Sequence, residues 1–374
     1  MTRIALQQMY SSVVRNVMQN QTTLADLQLK LSSGNAINKL SDDPIGLVNM
    51  LDLTTELDYR NQTSDNTDNA KAYLAVVDTS LSGFDDLFQS ARELALQGAS
   101  DTLTSTDRLS LLEEAQQELL EMVNLADTTY KGDYIFAGTD TDKAPYSVLD
   151  GTGNITDSAV TLDTAYQIYD TSNEDDEVCR IIPGTLEIDG LEEGTDYEVD
   201  YVNGTITFLT ADAQTAAAAG LDMSYQWIRR NDLDNDNGEI NREIEPGVTM
   251  TINTTADDAF GNDQEVDCFS SMIALMEGLY ENSQDDIETS ITYLDDSIDR
   301  MTSAQASVGA KTNRISDTAD RNTANITTAT DLLSNIQDAD LTTVLSDYAL
   351  AETVYEASLE VATSVMETSL LNYL

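Results

Sequence analysis

Apolar residues recur in steps of four and three at both ends of the chain, and that spacing predicts helices before composition is considered. Near the N-terminus, Leu6, Tyr10, Val13, Val17, Asn20, Leu24, Leu27 and Leu31 form a heptad seam with one polar member, Asn20. The seam ends at Ser32-Ser33-Gly34-Asn35, where a glycine able to take positive φ suits a helix exit. Ser41-Asp42-Asp43-Pro44 then offers an N-cap and a proline for the first turn of the next helix. A second seam runs Ala70, Leu74, Val77, Leu81, Phe84, Phe88, Ala91, Ala95. A third follows the turn at Thr104-Ser105-Thr106-Asp107 and runs Leu112, Ala115, Leu119, Met122, Ala126.

The far end mirrors this arrangement. Ile287, Ile291, Leu294, Ile298, Met301, Gln305, Val308, Thr312, Ile315, Ala319, Asn322, Ile326, Ala329 and Leu333 hold one register, which predicts a rod of about 70 Å at ~1.5 Å per residue. The last segment carries Leu341, Leu345, Tyr348, Tyr355, Leu359, Ala362, Met366 and Tyr373 on one stripe. Leu350, Val354, Ala357, Val361 and Val365 make a second stripe beside it, so this helix is expected to meet more than one partner.

Between about 140 and 262 no helical period survives. The runs Tyr197–Val202 and Thr205–Leu209 flank Asn203-Gly204, a pair that favours a two-residue hairpin turn. The fold expected is mainly α with a β insert: an antiparallel long-helix bundle built from N- and C-terminal arms, plus a small β domain. Its parts are a terminal coiled-coil region (1–45 with 340–374), a long-helix bundle (46–139 with 263–339) and a β-rich insert (140–262). Standing alone, residues 340–374 would spend about 1–2 kcal/mol per residue on backbone order. Burying each of eight large side chains returns only about 1.5–3 kcal/mol. The terminal region is therefore expected to lack order in the monomer and to need outside partners.

Charge narrows the function. There are 68 Asp and Glu against 18 Lys and Arg, for a net charge of -50. Phosphate backbones and anionic membrane surfaces need clustered cations, so neither is the expected partner. With no His, Ser-His-Asp and Cys-His catalysis and His-ligated zinc are excluded. Cys179 and Cys268 cannot make a disulfide framework and are expected to be unpaired thiols, Cys268 partly buried. No apolar run approaches a membrane span, and the start has neither the apolar region nor the cleavage site of a secretory signal peptide.

Candidate chemistry is sparse. Asp232-Leu-Asp-Asn-Asp-Asn-Gly238 invites a calcium-loop reading. Placing Gly238 at the sixth position of such a loop, however, puts Leu233 first and Ile244 twelfth, where ligands are needed. Starting instead at Asp232 recovers Glu243 at twelve and misplaces the glycine. An acidic turn is the expectation for 232–243, with calcium binding the alternative. Glu174–Glu177 reads as a solvated charge run. No phosphate-binding glycine loop is present, and no catalytic residue, cofactor or metal ligand is nominated.

Several segments together resemble the bacterial flagellin superfamily: Leu31-Ser-Ser-Gly-Asn-Ala-Ile-Asn38 followed by Ser41-Asp-Asp-Pro44, and Ser334-Asn-Ile-Gln-Asp-Ala-Asp340 leading into the last helix. Within it, three features are similar to the hook-associated junction proteins rather than filament flagellins. These are Pro44 after the Asp pair, Tyr134-Ile-Phe-Ala-Gly138 with Ala144-Pro-Tyr146, and the ending Ser369-Leu-Leu-Asn-Tyr-Leu374. One departure is Asn35-Ala36, where the family often has a basic residue. The resemblance covers about 1–146 and 263–374. It implies a non-enzymatic subunit of the extracellular flagellum, exported through the type III channel with a cytoplasmic chaperone and an uncleaved N-terminus. Such a subunit joins the adjoining hook-associated junction protein to flagellin, associates with its own copies in a ring and turns its insert outward. The assembly interface expected is Leu6, Tyr10, Val13, Val17, Leu24, Leu27, Leu31, Leu345, Tyr348, Tyr355, Leu359, Met366 and Tyr373. The alternatives are a filament flagellin and a calcium-dependent surface protein.

Overall fold

The computed structural model describes residues 2–155, 165–167, 169–170, 177–178, 180–231, 237–261 and 267–371. Three helices come first: α1 (Thr2–Ser33), α2 (Pro44–Gly98) and α3 (Ser105–Ala126). Thirteen short strands follow among the described residues. They are β1 (Thr129–Tyr130), β2 (Asp133–Tyr134), β3 (Tyr146–Ile155), β4 (Ala165–Gln167), β5 (Tyr169–Asp170), β6 (Glu177–Val178), β7 (Arg180–Ile181), β8 (Glu187–Ile188), β9 (Tyr197–Asp200), β10 (Thr205–Phe208), β11 (Leu221–Arg230), β12 (Asn241–Glu245) and β13 (Val248–Thr251). Helices α4 (Ala211–Ala219) and α5 (Ala256–Phe260) lie within this region. Three more close the chain: α6 (Cys268–Tyr280), α7 (Gln284–Gln337) and α8 (Leu341–Leu371). The class is mainly α with a β insert, as the sequence leads one to expect.

Local chemistry explains the element ends. Gly34 sits at φ +75 and its N–H bonds the Lys30 carbonyl, closing α1 with a left-handed residue. Asp43 Oδ1 accepts from the N–H groups of Ile45 and Gly46 at 3.1 and 3.0 Å, so it caps α2 with Pro44 at the first turn. Thr104 and Asp107 form a reciprocal capping box ahead of α3.

The chain divides into two compact units, 1–65 with 319–374 and 66–318. In the larger unit every member of the second and third seams is buried. Their Phe84, stacked on Phe88, meets Phe260 and Phe269 from the C-terminal half, with Phe84 and Phe260 ring centroids 4.6 Å apart. Tyr146 packs on Phe269 at 4.3 Å. Helix α6 buries ten of its 13 residues, so it is central rather than one-faced. Its Gly278 lets α7 approach closely, since a Cβ there would lie 2.8 Å from the Ile287 backbone nitrogen.

The sheets are antiparallel. One runs β3-β11-β7, with β8 also on β11; another runs β4-β10-β9; the pairs β1-β2, β5-β6 and β12-β13 complete the set.

Three expectations need correction. The β9–β10 turn has four residues, not two, because pairing ends at Asp200↔Thr205. Asp200 accepts from the backbone and side-chain nitrogens of Asn203, and the Tyr201 N–H goes to Glu277 rather than to a strand partner. Cys268 is fully buried, and desolvation pushes its thiol up to about 12. The insert region also holds α4, whose alanine run has no polar period to reveal it, capped by Thr210. Cys179, the run 174–176 and Asp232–Asp236 lie outside the described residues.

Candidate assembly surface

In the smaller unit α1 and α8 pair antiparallel. The backbone fixes this at one end: Asn35 bridges Asp338, the Ala36 N–H bonds the Gln337 carbonyl, and the Ala339 N–H bonds the Gly34 carbonyl. Lys39 Nζ lies 2.6 Å from Asp26 Oδ1 and ties the chain after the turn back to α1. That hydrogen bond raises the Lys39 pKa. An ion pair therefore pins this turn although Asn35-Ala36 carry no base. Asp42 accepts from the Asn38 and Lys39 N–H groups and Asp340 from Thr343, and both carboxyls are held below the usual range.

On α1 the half-buried seam runs Val13, Val17, Asn20, Leu24, Leu27 and Leu31, as the spacing predicts, while Tyr10 is exposed. On α8 the residues turned from solvent are Val344, Tyr348, Ala351, Tyr355, Ser358, Ala362 and Val365. These also step by four and three. Tyr348, Tyr355 and Ala362 belong to the expected stripe; Leu345, Leu359 and Met366 do not face this seam and are exposed. The reason is size. Ala351 and Ser358 let two helices approach but add little hydrophobic signal, so the larger residues on either flank dominate the pattern. The α8 seam could have been found by following small residues at four–three spacing. Leu6 in side chain and Tyr373 entirely lie outside what is described.

The smaller unit has almost no core of its own. Its buried hydrophobics, among the described residues, are Ile37, Ala329 and Ala362. Among the described residues, seventeen of the twenty-one exposed large hydrophobics fall here, including Ile45, Val48 and Leu51 at the start of α2, which sequence spacing did not single out. An apolar groove of about 340 Å³ between Leu27, Leu350 and Val354 opens on one flank. Apolar surface on this scale marks association. Charge adds direction: α1 carries Arg3, Arg15 and Lys30 against Asp26, whereas α8 has five acids and no base. No described helix is long and apolar enough to cross a membrane.

The same two arms are matched by known proteins. Residues 4–141 match the bacterial flagellin N-terminal helical region and residues 291–374 the bacterial flagellin C-terminal helical region. A flagellin of Clostridium tyrobutyricum is 24% identical over 91% of this chain and 93% of its own length. Flagellar hook-associated protein 3 of Escherichia coli is 30% identical over 39% of this chain, an alignment spanning 46% of that protein. The solved structure of a putative flagellar hook-associated protein from Vibrio parahaemolyticus shares the fold, with a TM-score of 0.53 at 17% identity over 79% of this chain and 100% of that one. With the flagellin helical regions filling both arms, the chain belongs to the bacterial flagellin family of flagellar structural proteins.

Proposed function

We propose that this chain is a junction subunit of the bacterial flagellum, joining the hook-associated region to the flagellin filament. The observation that carries this reading is the anchor made by Tyr134–Gly138 with Ala144–Tyr146, the segment similar to junction proteins. Ile135, Phe136 and Ala137 are fully buried. The Tyr73 hydroxyl donates to the Ile135 carbonyl at 2.8 Å, the Ala256 N–H to the Phe136 carbonyl, and Asn231 to the carbonyls of Ala144 and Pro145. This short segment thus joins α2, α5 and the end of β11.

The subunit works by adaptation rather than catalysis. Exposed apolar flanks on α1, α2 and α8 meet neighbouring axial proteins on both sides, and copies of the chain close a ring. Export through the flagellar channel with a chaperone delivers it outside the cell. The terminal pair lacks fixed order until it is covered, because half-buried seams return less than the backbone cost of two helices of 32 and 31 residues. Deleting the gene tests the role: hooks should remain without attached filaments, and normal filaments would refute it. A filament flagellin is the second reading, favoured by the match over 91% of the chain to the Clostridium protein. Long filaments grown from the purified chain would decide for it.

A further inference from the structure

Tyr201 is held at both ends by carboxyl groups. Its backbone N–H donates to Glu277 Oε1 of α6 at 3.2 Å, and its hydroxyl reaches both oxygens of Glu193 at 2.8 and 2.9 Å. The Tyr280 hydroxyl donates to the same Glu193 at 3.0 Å, and the two tyrosine rings meet edge to face at 5.9 Å. Glu277 lines a groove of about 570 Å³ with Glu198 and Asp200 from β9, Glu281 at the end of α6, and Asp286 and Tyr293 from α7. No Lys or Arg lines that groove among the described residues.

A negative Glu277 would face four other carboxylates across this groove with no cation to offset them. As a neutral acid it still offers Tyr201 an acceptor. We propose that Glu277 is a proton-controlled latch, which seats the Tyr197–Phe208 hairpin on α6 when neutral and loosens it when ionised. Burial, then repulsion from Asp200, Glu281 and Asp286, lifts its pKa to about 8, against the partial opposing effect of the Tyr201 N–H. Glu193 and Glu281 are also raised, chiefly by burial. The sign follows. The seated hairpin binds the proton more tightly than the released one, so seating is strongest at low pH and weakens as pH rises from the ordinary Glu range toward 8.

Amide hydrogen exchange across 197–208, corrected for the intrinsic pH dependence of exchange, tests the latch. In the native chain protection should fall by up to about tenfold per pH unit between pH 5 and 8 and level off above. Glu277→Gln keeps an acceptor without the charge, so it should fold at pH 5 and show a much shallower fall in protection, the remainder coming from Glu193 on the Tyr201 hydroxyl. Glu281→Gln, which does not touch Tyr201, should keep the fall in protection but level off at somewhat lower pH, since one repelling charge is gone. Raising salt to 1 M should make the fall level off at lower pH, because screening the groove weakens the repulsion that raises the Glu277 pKa. Equal slopes in the native chain and Glu277→Gln would overturn the latch. So would a native chain without a slope, or a Glu277→Gln chain unfolded at pH 5.

Discussion

Asn322 Nδ2 donates to the Arg60 carbonyl at 2.8 Å, joining α7 to α2 inside the smaller unit. The amide is almost fully buried, and it interrupts a seam that Ala319, Ile326 and Ala329 otherwise keep apolar. A lone Asn in such a seam fixes register at a cost in stability, because sliding the helices would strand it without a partner. Its own Oδ1 accepts no hydrogen bond, which sharpens that cost.

Asn322→Leu should therefore raise the stability of this helix pair by on the order of 1 kcal/mol while loosening its register. Thermal melting would report the first effect. Light scattering should show mixed oligomers in the variant and a single species in the parent. A clear loss of melting temperature would show that the amide is a net stabiliser instead.

Asp127, at the end of α3, accepts the Tyr146 N–H at 3.2 Å, and burial raises its pKa to about 6. The folded state thus holds this proton more tightly than the unfolded chain does. The stability it contributes is present below about pH 4 and is lost as pH rises toward 6. Asp127→Asn keeps an acceptor and removes the titration. Its advantage over the parent should grow between pH 4 and 6, to on the order of 1 kcal/mol after allowance for solvent screening. Parallel melting curves for the two chains over that range would exclude the effect.

Much of the fold could be read from residue spacing. The seam from Ile287 to Leu333 predicted α7, and all its members are turned from solvent. Such seams are legible because one large apolar face meets one partner. The same logic fails at α6, which is apolar all round, and at Ala351 and Ser358, where close helix contact needs small side chains. It fails again at Tyr201, whose backbone N–H is taken by Glu277, far away in sequence, so strand pairing stops one residue earlier. The anchor at Tyr134–Gly138 was visible only as a resemblance, since its hydrogen bonds come from Tyr73, Asn231 and Ala256, distant in sequence.

A net charge of -50 repels itself in the folded chain and between copies. The groove beside Glu277 and the acids of α8 are local instances. Screening that shrinks the Debye length from about 30 Å at 0.01 M to about 3 Å at 1 M should raise the melting temperature and promote association. Melting in a series of chloride salts measures this directly. A melting temperature independent of salt over that range would mean that the acids are spaced widely enough not to repel.

Leu359 and Ala362 sit one turn apart on α8, one exposed and the other buried in the α1–α8 seam. Placing a carboxylate at each separates two roles of the helix. Leu359→Asp puts the charge where water already reaches in the free chain, so melting of the larger unit should stay within about 0.5 kcal/mol of the parent. Once copies pack together, the same change removes about 1.5–3 kcal/mol of leucine burial and adds the cost of desolvating a charge. Every subunit in a ring would carry that penalty. Cells should then export the variant yet lack attached filaments. Ala362→Asp instead buries the charge within the α1–α8 seam, and should weaken that pairing itself, read as faster exchange in 344–365 of the assembled form. If Leu359→Asp supports normal filaments, the exposed flank of α8 faces solvent in the assembled flagellum, and the adaptor mechanism proposed for that flank is wrong.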